Sequence, residues 1–107
     1  MVYEQYGVYW VDLNPTKGGE MNKIRPCVIL SPTDINNFLL TVVSAPLTSS
    51  DLGLPMRFKV TIKNIKGFVA LDQMRALDKS RFRAKIGTLN KSEREFCKAI
   101  LKEYLID

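Results

Sequence analysis

Hydrophobic and polar positions alternate with a period of two in several short runs along this chain, and with a period near 3.6 in only one. The clearest alternation sets Met56, Phe58, Val60 and Ile62 against Arg57, Lys59, Thr61 and Lys63, the pattern of a strand with one face in a core and one in water. Gly7 opens another run, in which Tyr9, Val11 and Leu13 share a side, and the residues from Asn14 to Gly19 stop it. Arg25 and Pro26 lead into a strand through Cys27 to Ser31, and a short turn or helical piece is expected over Asp34 to Phe38. Leu39 to Ala45, rich in β-branched residues and closed by Pro46, reads as a central buried strand. Asn64 is placed to turn the 56–63 strand into the next, which ends in the run from Gly67 to Leu71. Only the C-terminal segment is helical in pattern. Asn90 is a good N-cap with Glu93 three residues on, and Phe96, Ile100 and Tyr104 with Cys97, Leu101 and Leu105 make an apolar stripe.

These elements predict a single, mainly β domain over residues 1–107: a small, strongly curved antiparallel sheet or partly open barrel with a C-terminal helix packed on it. A chain of 107 residues that is 46% hydrophobic is long enough to bury a core without staples. Cys27 sits in an apolar run and Cys97 in the helix, without Cys or His neighbours at metal-ligand spacing, so both read as core residues and no metal site or cofactor is expected. The N-terminal residues show no basic stretch followed by a long apolar one, and no apolar run approaches the ~20 residues of a membrane span. A cytoplasmic protein without a membrane partner is the expectation.

The net charge of +5 is unevenly spread: residues 1–51 carry three basic and five acidic side chains, the rest thirteen and six. Lys79, Arg81, Arg83 and Lys85 alternate with Ser80, Phe82, Ala84 and Ile86. An extended segment would set those four cations on one face. Two readings stay open, a footprint for a polyanion and a solvated edge strand kept soluble by its charges.

The absence of histidine removes the commonest general acid–base group and rules out Ser-His-Asp or Cys-His catalysis. Lys17, Gly18 and Gly19 lack the glycine spacing and the following Lys-Ser/Thr of a P-loop. What is left for chemistry is arginine, hydroxyl and carboxylate, a set suited to phosphate. Arginine presents a fixed fork of donors to phosphate oxygens and stays charged, so it stabilises developing negative charge and serves poorly as a base. On residue type alone Arg25 reads as a surface ion pair at a strand start, with Glu20 as its partner, and Thr48 as an ordinary strand terminator. Trp10 is either core or interface, or a platform for a base.

The run from Tyr9 to Pro26, with Trp10-Val11-Asp12, Pro15-Thr16, Gly18, Glu20 and Arg25-Pro26, resembles the opening signature of the MazF/PemK (Kid) toxins. Three later blocks agree in order and spacing: Val28 to Pro32, Ala45 to Ser49, and Leu71-Asp72-Gln73-Met74-Arg75. The resemblance covers nearly the whole chain. It implies a dimeric, SH3-like barrel of the CcdB/PemK type with terminal helices. It also implies a sequence-specific, metal-independent endoribonuclease acting on single-stranded RNA and inhibited by a cognate MazE/PemI-like antitoxin. By that resemblance the 2′-hydroxyl attacks the neighbouring phosphorus, leaving a 2′,3′-cyclic phosphate and a 5′-hydroxyl.

Carried residue by residue, the family arginine falls on Arg25, which would stabilise the phosphorane, and the family threonine on Thr48, which would orient a phosphate oxygen. Glu20, Asp72 and Gln73 are candidates for reading exposed base edges, and Lys17, Lys23, Arg75 and Lys79 for tracking phosphates. Some members carry a second basic residue where this chain has Ala70. The alternative function is a toxin of the same superfold that poisons a protein target, as the CcdB gyrase poisons do; the Arg25–Thr48 pair with the Glu20 loop favours the nuclease.

Overall fold

The structure is a computed structural model, and it describes residues 1–14 and 23–106. Seven strands form one curled antiparallel sheet: β1 (Gly7–Asp12), β2 (Ile24–Ile29), β3 (Thr41–Thr48), β4 (Arg57–Ile62), β5 (Ile65–Ala70), β6 (Arg75–Asp78) and β7 (Phe82–Thr88). Their spatial order is β4-β5-β3-β2-β1-β7, with β6 also on β3. The expected mainly β half-barrel with a C-terminal helix is what forms, with α1 (Thr33–Asn36) between β2 and β3 and α2 (Lys91–Leu101) at the end, running into a π turn over Lys102–Ile106. The β4–β5 turn is Lys63 and Asn64, and Lys63 is the left-handed residue of the two, at φ 55°.

β3 is paired along both edges, and its outer partner changes midway. On one side Cys27, Val28 and Ile29 of β2 face Pro46, Ala45 and Ser44. On the other, β6 pairs Thr41 to Ser44 and β5 pairs only Leu47 and Thr48. Between those ladders the chain leaves the sheet in a single 3-10 turn, Leu71–Gln73. Pro46 lies at the gap. The Val43 carbonyl accepts from Leu30 N–H and its N–H donates to Ser31 Oγ, so Val43 points its backbone at the β2 side. By alternation Pro46 points the other way, where its ring nitrogen has no hydrogen to leave unsatisfied. The strand expected to close at Pro46 therefore passes through it to Thr48.

Both faces of the sheet are covered, which is why β1 and β2 bury consecutive residues and do not alternate cleanly. One face packs Val8, Val28, Leu47, Phe58, Val60, Ile62, Val69 and Leu71 against Leu89 and Cys97. The other packs Tyr9, Val11, Cys27, Ile29, Val42, Leu77 and Phe82 beneath Tyr3. The cysteines are free and buried, one in each cluster. Trp10 is 37% exposed and belongs to neither core. The inward face of β4 is observed as read, with Phe58, Val60 and Ile62 buried and Lys59, Thr61 and Lys63 exposed; Arg57, expected on the water face, is covered by its ion pair with Asp72.

At the helix start, Asn90 Oδ1 accepts from Glu93 N–H at 2.7 Å, and Glu93 Oε1 accepts from Asn90 N–H at 2.9 Å. Glu93 Oε2 takes a third bond from Thr61 N–H at 3.0 Å, tying the helix to β4 at the sheet edge. The apolar stripe is only partly used. Cys97 is buried, Ile100 and Leu101 pack at the core margin, and Phe96 remains 59% exposed while stacking on Phe58. Tyr104 and Leu105 are exposed. Asn90→Ala should lower unfolding free energy by about 1 kcal/mol, measured by urea denaturation; Glu93→Ala, which strips the edge bond as well, should cost more. Equal losses would show that the Thr61 bond adds nothing.

Candidate functional site

On the face that carries Tyr9, Val11 and Cys27, the core ends at a groove of about 390 Å³ lined by Leu13, Lys23, Cys27, Ser44, Pro46, Gln73, Arg75 and Leu77. It exists because β6 and β5 part around the 3-10 turn and leave β3 open at Pro46. Strand alternation puts Ser44 and Pro46 on this face beside Cys27, and Ser44 pairs directly with Arg75. Gln73 reaches the groove from the turn. Thus Lys23, Gln73 and Arg75, singled out in sequence, come together here; Ser44 was not singled out, since a serine in a β-branched strand has no spacing that marks it.

Arg25 and Thr48 belong to the same face. The β2–β3 register matches Cys27 with Pro46 and Ile29 with Ser44, and carried two residues onward it sets Arg25 opposite Thr48. Arg75 and Arg25 both act electrostatically on Cys27. Burial outweighs their effect and pushes that thiol up to about 12, so Cys27 stays protonated at neutral pH and is no nucleophile. Thr48 Oγ1 donates to the Ser50 carbonyl at 2.9 Å. Its position depends on Gly67: a Cβ there would stand 2.9 Å from the Thr48 carbonyl oxygen.

Asp72 is bound within the protein. Arg57 donates Nε and Nη2 to its two carboxylate oxygens, each at 2.9 Å, and Nη1 to the Ser50 carbonyl at 3.1 Å. The Arg57 side chain is only 6% exposed. This fork ties the 3-10 turn to the segment after β3, so Asp72 fixes the place of Gln73, and Ser50 O keeps a donor if Thr48 turns away. The Arg57 hydrogen bonds hold the Asp72 carboxyl below the usual aspartate range, burial opposing them.

The row of cations from Lys79 to Lys85 does not form a free basic face. Lys79–Arg81 is a 3-10 turn, and the β1–β7 ladder shifts register twice. Lys79 Nζ lies 5.1 Å from the centre of the Tyr3 ring, away from the groove lining. Arg81 donates to the carbonyls of Asp12 and Asn14, Arg83 pairs with Asp12, and Lys85 with Glu4. The Arg81 and Arg83 contacts brace the end of β1, and just beyond it Asn14 Oδ1 accepts from Lys23 N–H. Lys17 and Glu20 lie outside the described residues. Ala70 is fully buried. No group of three or more Asp, Glu or Cys side chains among the described residues could hold a metal ion, and no described helix is long and apolar enough to cross a membrane.

The Arg57–Asp72 pair has a definite pH signature. A carboxyl with a depressed folded-state pKa stabilises the fold fully above the unfolded value, about 3.9, and loses that contribution as pH falls through the folded value. Asp72→Asn should therefore lower the melting temperature by several degrees at pH 7, with the gap from wild type closing below about pH 4. A gap that persists at low pH would mean the loss is one of shape alone.

A family model described as PemK-like, MazF-like toxin of type II toxin-antitoxin system matches residues 4–105. The chain is 33% identical over 91 residues to the endoribonuclease toxin MazF of Escherichia coli strain K12, covering 84% of this chain and 82% of that protein. It is 32% identical over 92 residues to the endoribonuclease MazF of Staphylococcus epidermidis, covering 80% and 77%. In fold it is similar to the crystal structure of MazF from Deinococcus radiodurans, with TM-score 0.81, 24% identity, and coverage of 98% of this chain and 97% of that one. It is likewise similar to an endoribonuclease in complex with its cognate antitoxin from a mycobacterial species, with TM-score 0.79, 21% identity, and coverage of 95% and 93%. The chain belongs to the PemK-like, MazF-like family of type II toxins.

Proposed function

We propose that this protein is an endoribonuclease toxin that binds single-stranded RNA in the groove and cleaves it between Arg25 and Thr48. The relatives named endoribonuclease support the activity, and the β2–β3 register, which ends at the Cys27–Pro46 pair and carried two residues further would set Arg25 opposite Thr48, is what supports the site. The 2′-hydroxyl oxygen attacks the adjacent phosphorus and releases its proton to solvent, while the bond to the 5′-oxygen breaks and that oxygen takes up a proton, giving a 2′,3′-cyclic phosphate and a 5′-hydroxyl. Negative charge grows on the non-bridging oxygens, and the Arg25 guanidinium meets it with fixed donors. Thr48 turns its hydroxyl from Ser50 O to a phosphate oxygen, a change made cheap because Arg57 continues to satisfy Ser50 O. Arg75, on the far wall, holds the neighbouring backbone, and no metal takes part.

The protein acts as a homodimer restrained by a cognate antitoxin. Phe38 and Leu40 project beyond α1 at 85% and 81% exposure, apolar surface of the kind that a second copy covers. An extended acidic antitoxin segment laid over Arg25 and Arg75 would occlude the groove. In EDTA, purified protein should cut a long single-stranded RNA at a short recurrent sequence. Arg25→Ala should reduce the rate at least about 10²-fold without altering the size of the native particle, measured by end mapping and light scattering. Uncut RNA with a folded wild-type protein, or full activity in Arg25→Ala, contradicts the assignment.

A further inference from the structure

Phe68 of β5 is partly exposed, belongs to neither core and pairs with no other ring among the described residues. Its neighbours across the sheet are fixed by register: Thr48 of β3 stands opposite it on one side and Lys59 of β4 on the other. Residues paired in this way share a face, with Cβ atoms about 5 Å apart. Thr48 Oγ1 also lies 3.5 Å from the Phe68 carbonyl oxygen. Thr48, Phe68 and Lys59 therefore form a row across the sheet, on the face that holds Ser44 and Pro46. The β2–β3 register, carried two residues past the Cys27–Pro46 pair, would begin that row with Arg25. Beyond Thr48 the face opens into a second groove, of about 400 Å³, whose wall includes Phe68, Lys59, Pro55 and Phe96. The other charged side chains on that wall are engaged: Arg57 with Asp72 and the Ser50 carbonyl, Asp51 Oδ1 with Gly53 N–H, and Glu93 with the N–H groups of Asn90 and Thr61. Lys59 has no ion pair among the described residues.

Resting on the RNA-binding reading, we propose that this second groove is a base-stacking subsite: the nucleobase adjoining the phosphate held at Thr48 lies on the Phe68 ring, and Lys59 meets the next phosphate. The row alternates as a single strand of nucleic acid does, with a hydroxyl for backbone oxygens, a flat π face for a base, and a cation for the backbone again. A large ring outside the core leaves apolar surface in water, and a stacked base covers it. Every base has a π face, so Phe68 holds the strand without reading its sequence. The row runs straight on from the face of Thr48, and that continuity selects the RNA strand over a peptide as the occupant. Phe68 is thus a binding residue, distinct from Arg25 and Thr48, which act on the phosphate.

The test is an abasic scan: uncleavable 2′-O-methyl strands of the sequence that wild type binds best, each lacking the base at one position, with affinities read by fluorescence anisotropy. In wild type, removal of one particular base should weaken binding about ten-fold, the worth of one stacked base. Phe68→Ala should weaken the intact strand by the same factor and the abasic strand no further, since ring and base form one interaction. Phe68→Tyr keeps the flat face and should bind as wild type. Phe68→Leu keeps apolar bulk alone; it should bind as weakly as Phe68→Ala while melting close to wild type, which separates stacking from folding. Lys59→Ala should lower the slope of log affinity against log salt by about 0.7. Intact-strand binding unmoved in Phe68→Ala or full in Phe68→Leu, an abasic penalty that survives in Phe68→Ala, or an unchanged salt slope in Lys59→Ala overturns the proposal; unmoved RNA binding leaves the ring to a protein partner. Cleavage of natural RNA, measured in parallel, separates the two claims: coupling between Phe68 and one base without cleavage retains the subsite and removes the nuclease, and cleavage without that coupling does the reverse.

Discussion

Everything functional in this structure depends on how the two edges of β3 are paired. β2 occupies one edge, and the other is divided between β6 and β5, with Pro46 at the point of exchange. A strand interior normally cannot lose a partner without stranding an N–H group. Proline has none to strand, so the partner can leave the sheet in the Leu71–Gln73 turn and open a groove without an orphaned donor on Pro46. The same exchange delivers Gln73 and Arg75 to the rim and leaves Thr48 at the far end of the strand, across from Arg25.

Rigidity around that opening comes from one partly buried ion pair. Arg57 reaches from β4 to hold Asp72 in the turn and Ser50 beyond β3 at the same time, so the two lips of the groove cannot drift independently. Bidentate geometry is what makes such a pair directional. Charge in the protein is thereby divided by role. Arg57, Arg81 and Arg83 shape the fold, Arg75 lines the groove, and Arg25 lies on the same face of the sheet.

Periodicity displayed the parts of the fold that obey a single local rule: the alternation of β4, whose outer face meets water, and the capping box of α2, which is a matter of three residues. It failed where the rule needs a partner. β1 and β2 are covered on both faces, so their burial does not alternate. The cations from Lys79 to Lys85 looked like one face because an extended chain was assumed, and a 3-10 turn with two register shifts scattered them onto Tyr3, Asp12, Asn14 and Glu4. Arg25 and Thr48 were singled out by family resemblance and not by spacing, because they lie on different strands, 23 residues apart in sequence. Phe68 was invisible for the same reason: what distinguishes it is its place beside Thr48 on another strand, which only three dimensions reveal. Asp72 stood out by its motif, and its engagement with Arg57 could not be read from either residue alone.

The central claim is one of placement, that the scissile phosphate lies between Arg25 and Thr48 with the adjoining strand in the groove at Pro46. A crystal structure of the protein with an RNA strand carrying a single 2′-deoxy nucleotide at the mapped cleavage site tests it most directly. The account predicts that phosphate within hydrogen-bonding distance of both the Arg25 guanidinium and the Thr48 hydroxyl, with Thr48 released from Ser50 O. An RNA strand running along β7 over Arg83 and Lys85, with the Pro46 groove empty, would contradict it.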